Sequence, residues 1–222
     1  MRERRAWLCA ILLLGPALAS AQAFPPAGEA ERLSASKEEV VLRPFLVAGA
    51  GLALPFGLGG KGENLAGQFK SGPAFHGAAG LSIGGFTIAG LYRRATPGAA
   101  KTACTSGDCS ATQTQTGVML LGGPPGLESV GGVIGLGWWK DRAEFKDNAS
   151  SQKRSLDGWG LFEYASVDFQ VGGYRSHVAA GGHLILGIEN YTSAKTSAGK
   201  VTIGADANQP VFAELGVHLR FL

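Results

Sequence analysis

Apolar and small residues alternate with polar ones along most of the chain that follows residue 39. Side chains of a β-strand point to opposite faces in turn, so a period of two predicts strands. No stretch beyond residue 39 keeps the period of an amphipathic helix over three turns. The pattern predicts eight strands, at residues 40–54, 73–83, 86–95, 112–123, 127–139, 159–171, 174–189 and 209–221.

The connections between these predicted strands alternate strictly between long and short. The short ones, rich in Gly or Pro as tight turns require, are 84–85, 124–126 and 172–173. The long ones are 55–72, 96–111, 140–158 and 190–208. Short periplasmic turns and long extracellular loops are typical of outer-membrane barrels. We therefore predict an all-β fold, an eight-stranded antiparallel up-and-down transmembrane β-barrel.

The last predicted strand separates its residue types cleanly by face. One face carries Val211, Leu215 and Leu219, and the other carries Glu214 and His218. A membrane barrel turns the apolar face outward to lipid and the polar face to its lumen. A soluble, secreted, lipocalin-like barrel that binds a ligand would turn its apolar face inward, and it is the alternative from a different class.

Composition and charge narrow the class further. Glycine accounts for 35 of the 222 residues, and each Gly inside a helix costs about 1 kcal/mol, which disfavours helical bundles and α/β enzymes. Hydrophobic residues make up 45 % of the chain, unlike a disordered protein. The formal net charge of +3 gives no basic field of the kind that binds nucleic acid, so no nucleic-acid partner is expected.

The N-terminal segment has the three parts of an export signal. A basic start with arginines is followed by the apolar residues 6–14 and by the small residues 19–21. We predict a cleavable signal peptide at 1–21, a polar periplasmic linker at 22–39 and the barrel at 40–222. Export and a transmembrane barrel together predict a location in the bacterial outer membrane.

Two cysteines of the predicted exported chain lie close together, in the segment Cys104-Thr-Ser-Gly-Asp-Cys109. In an oxidising compartment such a pair forms a local disulfide that pins a loop. Half of a zinc site would need two more ligands nearby, and the nearest histidine along the chain is His76. We therefore predict a disulfide between Cys104 and Cys109.

Charged side chains of both signs fall on the faces assigned to the lumen. An eight-stranded barrel is narrow enough for side chains to fill it, and buried charges must be paired. We predict a polar network that plugs the lumen, with a narrow or gated pore as the alternative. Its predicted members are Arg43, Arg93, Asp168, Arg175, His177, His183, Glu189, Glu214, His218 and Arg220.

The histidines of the sequence all fall on predicted inward faces. His177 and His218 have similar heights on neighbouring predicted strands, so their imidazoles could touch. No third ligand lies at a fixed spacing from them, which favours hydrogen-bonded interior histidines. The sequence thus predicts neither a metal site nor another cofactor.

Aromatic residues concentrate near the predicted strand ends. Trp and Tyr of membrane proteins favour the lipid–water interface, where they form girdles. The predicted girdle consists of Tyr92, Trp138, Trp139, Trp159 and Tyr174.

One segment matches an enzyme motif. Gly80-Leu-Ser82-Ile-Gly84 fits Gly-x-Ser-x-Gly, which places a nucleophile on a strand-to-helix turn. Here the next predicted element is another strand, which begins at residue 86. We therefore predict no catalytic residues and no enzymatic activity.

In its topology and its terminal strand, residues 211–222, the sequence resembles the small outer-membrane barrels typified by the OmpA transmembrane domain, OmpX and OmpW. The resemblance extends from residue 40 to residue 222. It implies recognition of the terminal strand by the barrel-assembly machinery, contact with outer-membrane lipid and lipopolysaccharide, and a surface partner at the long loops. It also implies a structural or surface-interaction role in the cell envelope, with a narrow passive channel for small or hydrophobic solutes as the alternative.

Overall fold

The computed structural model describes residues 42–57, 59, 62–104, 106–123, 130–172 and 177–221. The predicted signal peptide and linker lie outside these residues, as do Arg175 and Tyr174. Within them the chain is almost entirely strand, as the period of two predicts.

The strands are β1 (Leu42–Gly57), β2 (Gly72–Ile83), β3 (Phe86–Ala95), β4 (Cys109–Gly122), β5 (Val130–Gly131), β6 (Ile134–Asp147), β7 (Lys153–Gln170), β8 (Val178–Thr196), β9 (Gly199–Thr202) and β10 (Pro210–Phe221). Two short 3-10 turns occupy Ala66–Gln68 and Lys101–Ala103. In the described part of the chain, no helix is long and apolar enough to cross a membrane.

Eight of the described strands form a closed antiparallel ring. Pairing runs in the order β1, β2, β3, β4, β6, β7, β8 and β10, and β10 returns to β1. The closing pair joins Leu46 to Phe221 at one end and Gly57 to Pro210 at the other. The predicted eight-stranded up-and-down barrel is confirmed.

One end of the ring, called here the turn end, carries the connections that the sequence predicts to be short. The connection 84–85 is as predicted, but the predicted connection 172–173 is wrong, because β7 ends at Gln170 and β8 begins only at Val178. Gly84, between β2 and β3, has a φ of +58°, and Gly172, after β7, has a φ of +89°. Side chains disfavour this left-handed region, so glycine is the residue that fits these turns. The predicted turn at 124–126 lies outside the described residues.

The opposite end, called here the loop end, is built from longer strands than the sequence predicts. The predicted loop 140–158 is wrong, because β6 and β7 continue through most of it and leave only 148–152 as their connection. The predicted loop 190–208 is likewise partly strand, since β8 runs to Thr196 and pairs with β9.

The strands continue there because their alternation persists with reversed polarity. On β6 the outward side chains beyond Trp138 are charged and exposed, while Ala143 and Phe145 between them point inward and are buried. The outward charged residues are Lys140, Arg142, Glu144 and Lys146. Apart from the inward Asp141 and Asp147, this part of the wall has a solvated exterior and an apolar interior, as in a water-soluble barrel.

Nearer the turn end, the exterior of the ring is apolar. Val217 on β10 is 69 % exposed and Leu136 on β6 is 64 % exposed. Exposed apolar side chains over several neighbouring strands form a belt of the kind that a bilayer covers. The lipocalin-like alternative is wrong, because it requires this apolar face to line the interior.

The interior is filled by side chains in three layers. Toward the turn end lies an apolar cluster that includes Val47, Leu91 and Met119. The middle layer is polar and is described below. At the loop end an aromatic cluster contains Phe69 and Phe212, whose ring centroids are 5.3 Å apart.

Candidate functional site

The middle layer of the interior is organised around Glu214 on β10, whose side chain has no solvent exposure. Arg93, on β3, donates from Nε to its Oε2 at 2.5 Å. His76 on β2 and His183 on β8 approach its other oxygen, Oε1, each through one ring nitrogen at 3.1 Å. Both carboxylate oxygens are thus occupied inside the protein.

Arg93 joins this carboxylate to the opposite wall of the barrel. Its Nη1 donates to Oε1 of Gln115 and, at 3.4 Å, to Oε1 of Gln113, both on β4. Its guanidinium carbon also lies 5.9 Å from the ring centroid of Trp139. A guanidinium can serve several acceptors at once because its donors are fixed in a planar fork.

Two further carboxylates continue the network on β8 and β6. Glu189 accepts hydrogen bonds from Nε2 of Gln115 at 2.6 Å and from Nε1 of Trp139 at 3.0 Å. Asp141 accepts one from Nε2 of Gln113 at 2.9 Å. The two glutamines relay contacts between the arginine and these carboxylates.

A second ionic cluster lies nearer the turn end. Asp168 on β7 is bonded through Oδ1 to Nε2 of His218. Its Oδ2 lies 2.9 Å from Nη2 of Arg220. The three side chains are almost fully buried, so Asp168 and Arg220 compensate each other's charge in place of water.

Most of the predicted network residues lie in these two clusters. Those that the structure buries are Arg93, Asp168, His183, Glu189, Glu214, His218 and Arg220. The prediction of burial is wrong for Arg43 and His177, which are exposed because they lie at the turn end, where the interior meets the surroundings. Arg175 lies outside the described residues.

The expected contact between His177 and His218 is replaced by a different pair of imidazoles. The ring centroids of His76 and His183 are 4.5 Å apart and the rings are nearly perpendicular. His177 precedes the start of β8 and its exposed ring lies at the strand terminus. A strand-end position could not be distinguished from an interior one by alternation alone.

Several buried network residues were missed by the sequence reasoning. They are Gln113, Gln115, Trp139, Asp141 and Tyr191. The glutamines alternate with threonines in residues 112–116, and that alternation was the signal that could have identified them. Asp141 and Tyr191 fell in segments interpreted as loops.

The predicted aromatic girdle divides between the two faces of the wall. Tyr92, Trp138 and Trp159 point outward and are 50 %, 46 % and 41 % exposed. Assigning Trp139 to the girdle is wrong, since consecutive strand residues face opposite sides. Its ring is buried and stacks on Phe162 at a centroid distance of 4.3 Å. Tyr174 lies outside the described residues.

The loops of the loop end are held by covalent and polar contacts. Cys104 and Cys109 form the predicted disulfide. Backbone N–H groups of Ser150, Ser106 and Ala149 donate to Asp147 at the end of β6. These hydrogen bonds lower the pKa of the Asp147 carboxyl to about 2, so it stays charged in all but strong acid.

The motif Gly80-Leu-Ser82-Ile-Gly84 ends in a strand–turn–strand connection between β2 and β3. The Ser82 hydroxyl is paired with that of Thr87 across the turn. A nucleophile elbow needs a helix after its turn, so this segment does not have that geometry.

The side chains of the two ionic clusters therefore bond chiefly within the barrel interior. The carboxylates accept hydrogen bonds from side chains of the same clusters, and apolar side chains pack around the second cluster and between the first cluster and the loop end. Such an arrangement stabilises a filled interior and leaves the exterior and the loop end as the surfaces open to other molecules.

The fold is similar to those of several solved structures. The crystal structure of a Neisserial surface protein, NspA, matches with a TM-score of 0.57 and 15 % identity, covering 82 % of this chain and 98 % of that one. OprG, an outer-membrane protein of Pseudomonas aeruginosa, matches at a TM-score of 0.45 and 14 % identity, over 80 % and 95 % of the two chains. Ail of Yersinia pestis, solved with the heparin analogue sucrose octasulfate, matches at 0.40 and 15 % identity, over 81 % and 99 %.

No protein-family model matches the sequence, and no curated protein matches it either. At these identities the structural likeness concerns the fold. The ring of strands, its apolar exterior and this likeness agree with the expected architecture. The chain has the fold of the small eight-stranded barrels of the bacterial outer membrane.

Proposed function

We propose that this outer-membrane barrel is a closed structural protein of the cell envelope whose contacts with other molecules are made at its surface. The observation that carries the proposal is the filled interior, where three layers of side chains succeed one another from the turn end to the loop end. The alternative, a passive channel for small solutes, would need a continuous path through these layers.

The loop end supports a role in surface contact because its loops are tied together. Asn208 donates from Nδ2 to Oδ1 of Asn64 at 2.9 Å. Arg154 donates to Glu63 at 2.6 Å, which links the first loop to β7. Leu65 and Phe69 of the same loop are buried in the aromatic cluster. A partner would therefore meet a preformed surface and lose little affinity to loop ordering.

Conductance measurements test the closed interior. We expect the purified barrel, inserted in planar lipid bilayers, to produce no discrete conductance steps. A general porin inserted under the same conditions provides the positive control. Reproducible steps from the folded barrel, absent from a heat-unfolded sample, would support the channel and contradict the proposal.

The exterior at the membrane boundary supports a lipid partner. On the outward face of β3 the exposed Arg94 follows Tyr92, and on β6 the exposed Lys140 follows Trp138. Trp159 is the strand neighbour of Lys140. Aromatic rings mark the headgroup level, so cations beside them or one step beyond them lie where the phosphates of lipopolysaccharide are found. Lipopolysaccharide bound through its lipid A phosphates is accordingly the proposed lipid partner.

A double variant tests this contact. Added lipopolysaccharide should raise the temperature at which the wild-type barrel loses its folded mobility in SDS gels. In R94Q/K140Q we expect at most half of that rise, because two phosphate-binding cations are lost. The matched control K101Q/K200Q removes the same charge from exposed loop-end positions. The contact would be ruled out if lipopolysaccharide raised this temperature equally in both variants. It would also be ruled out if dephosphorylated lipid A raised the temperature of the wild type as much as lipopolysaccharide does.

A further inference from the structure

Three side chains of metal-binding type converge at one point of the interior. Nδ1 of His76 and Nε2 of His183 each lie 3.1 Å from Oε1 of Glu214. The ligand atoms of the three residues all lie within 4.8 Å of one another. In a tetrahedral zinc site with bonds of about 2.0–2.1 Å, neighbouring ligand atoms are separated by about 3.3 Å. The two distances from the imidazole nitrogens to Oε1 of Glu214 are therefore close to the edge length of such a tetrahedron.

The space for the two imidazoles is provided by residues without side chains. Gly49 on β1 is the strand neighbour of His76, and Gly216 on β10 is the strand neighbour of His183. A Cβ atom at either glycine would collide with the adjacent imidazole. Tyr164 closes the site from another side, with its ring parallel to that of His183 at a centroid distance of 6.2 Å.

The charge of the surrounding network favours a cation. Among the described residues of the middle layer, the carboxylates Glu214, Glu189 and Asp141 face a single guanidinium, that of Arg93. With neutral imidazoles, the carboxyl groups of this layer outnumber its cationic side chains. Buried carboxylates are costly without compensation. A divalent cation beside Oε1 of Glu214 would add positive charge where the carboxyl groups are in excess.

We propose that His76, His183 and Glu214 bind one divalent transition-metal ion, with zinc as the best fit. Two imidazoles and one carboxylate are a ligand set that suits zinc, with a fourth position for water. Arg93 holds the other oxygen of Glu214 and so orients the carboxylate toward the ion. The site is distinct from the proposed surface contacts and does not depend on them.

The ion would join strands on both sides of the closing pair. His76 lies on β2, Glu214 on β10 and His183 on β8, and β1 runs between the first two. Binding would therefore link β2 across the junction of the first and last ring strands to β10 and β8. Metal binding that requires the folded ring adds directly to its stability.

Metal analysis of refolded protein tests the site. The barrel is unfolded in urea with a chelator, refolded into detergent with excess zinc, and separated from free ion by gel filtration. We expect about one zinc per folded barrel. In H76Q and H183Q the zinc affinity should fall by more than the 10–100-fold that loss of a supporting residue typically costs.

The matched control is H218Q, which alters a buried histidine of the other ionic cluster and should keep the zinc. Zinc retained equally by H183Q, or lost equally by H218Q, would refute the site, as would wild-type barrel that retains none. Cobalt bound to the wild-type barrel gives a readout that needs no variant. Intense visible absorption indicates tetrahedral nitrogen and oxygen ligands, and its absence at full folding would also refute the site.

Discussion

Replacing Arg93 by leucine should lower the free energy of unfolding by about 3–5 kcal/mol, because it leaves a buried carboxylate without its cation. Arg93 is 1 % exposed and contacts Glu214, Gln113 and Gln115 together. Its loss would break the links between β3, β10 and β4 in the middle layer. The change is measured by urea unfolding in detergent micelles, followed by tryptophan fluorescence.

A second arginine on the outer wall provides the control. Arg142 pairs with Glu144 at 3.0 Å, but both side chains are about half exposed. An exposed ion pair contributes at most about 1 kcal/mol, so R142L should unfold close to the wild type. If R93L yields no folded barrel, R93K should fold and be intermediate, because lysine keeps the charge and loses the planar fork. Similar stabilities for R93L and R142L would contradict the network as described.

The adjacent tryptophans of β6 should respond very differently to truncation. W139A should destabilise the barrel by about 3–5 kcal/mol, because it opens a cavity beside Phe162 and removes the donor to Glu189. W138A removes a side chain that is 46 % exposed on the exterior and leaves no internal cavity. We expect less than half the effect there.

Heat-modified mobility in SDS gels and urea unfolding provide the comparison between the two variants. Both proteins lose one indole, so fluorescence amplitudes are scaled to each folded baseline. If W138A proved the more costly substitution, the inward assignment of Trp139 would be wrong.

The sequence predicted the ring well because the lipid-facing strands must alternate. A bilayer tolerates neither a polar outward position near its centre nor an unpaired strand edge. The faces of the strands and the closure of the ring are therefore both constrained. The last strand illustrates this, since its outward Leu215 and Val217 and its inward Glu214 and His218 are placed by alternation alone.

The loop end could not be predicted in the same way. Beyond Trp138, β6 leaves the apolar belt. Its lysines, Arg142 and Glu144 face outward there, while Ala143 and Phe145 face inward together with Asp141 and Asp147. The period of two continues through this reversal. A segment rich in charged residues nevertheless has the hydropathy of a solvated loop. Asp141 lies in that segment, so the sequence did not indicate its place in the polar network.

The sequence also could not predict which side chains of the network contact each other. Inward positions can be inferred from a period of two, but contacts across the lumen depend on the stagger of all ring strands. His183 was expected on the inward face, yet nothing in its local sequence indicates that it shares an oxygen of Glu214 with His76.

The reversal of polarity along β6 and β7 also determines how far the protein reaches from the cell. Eight residues of β6, from Lys140 to Asp147, continue the wall past the outward-facing tryptophans. At about 3.3 Å per residue and a tilt of about 40°, the hairpin tip at 148–152 stands roughly 20 Å above the headgroup level. Since the tip rests on paired strands, a large molecule approaching the bacterium would meet this projecting cylinder before it met the lipid surface.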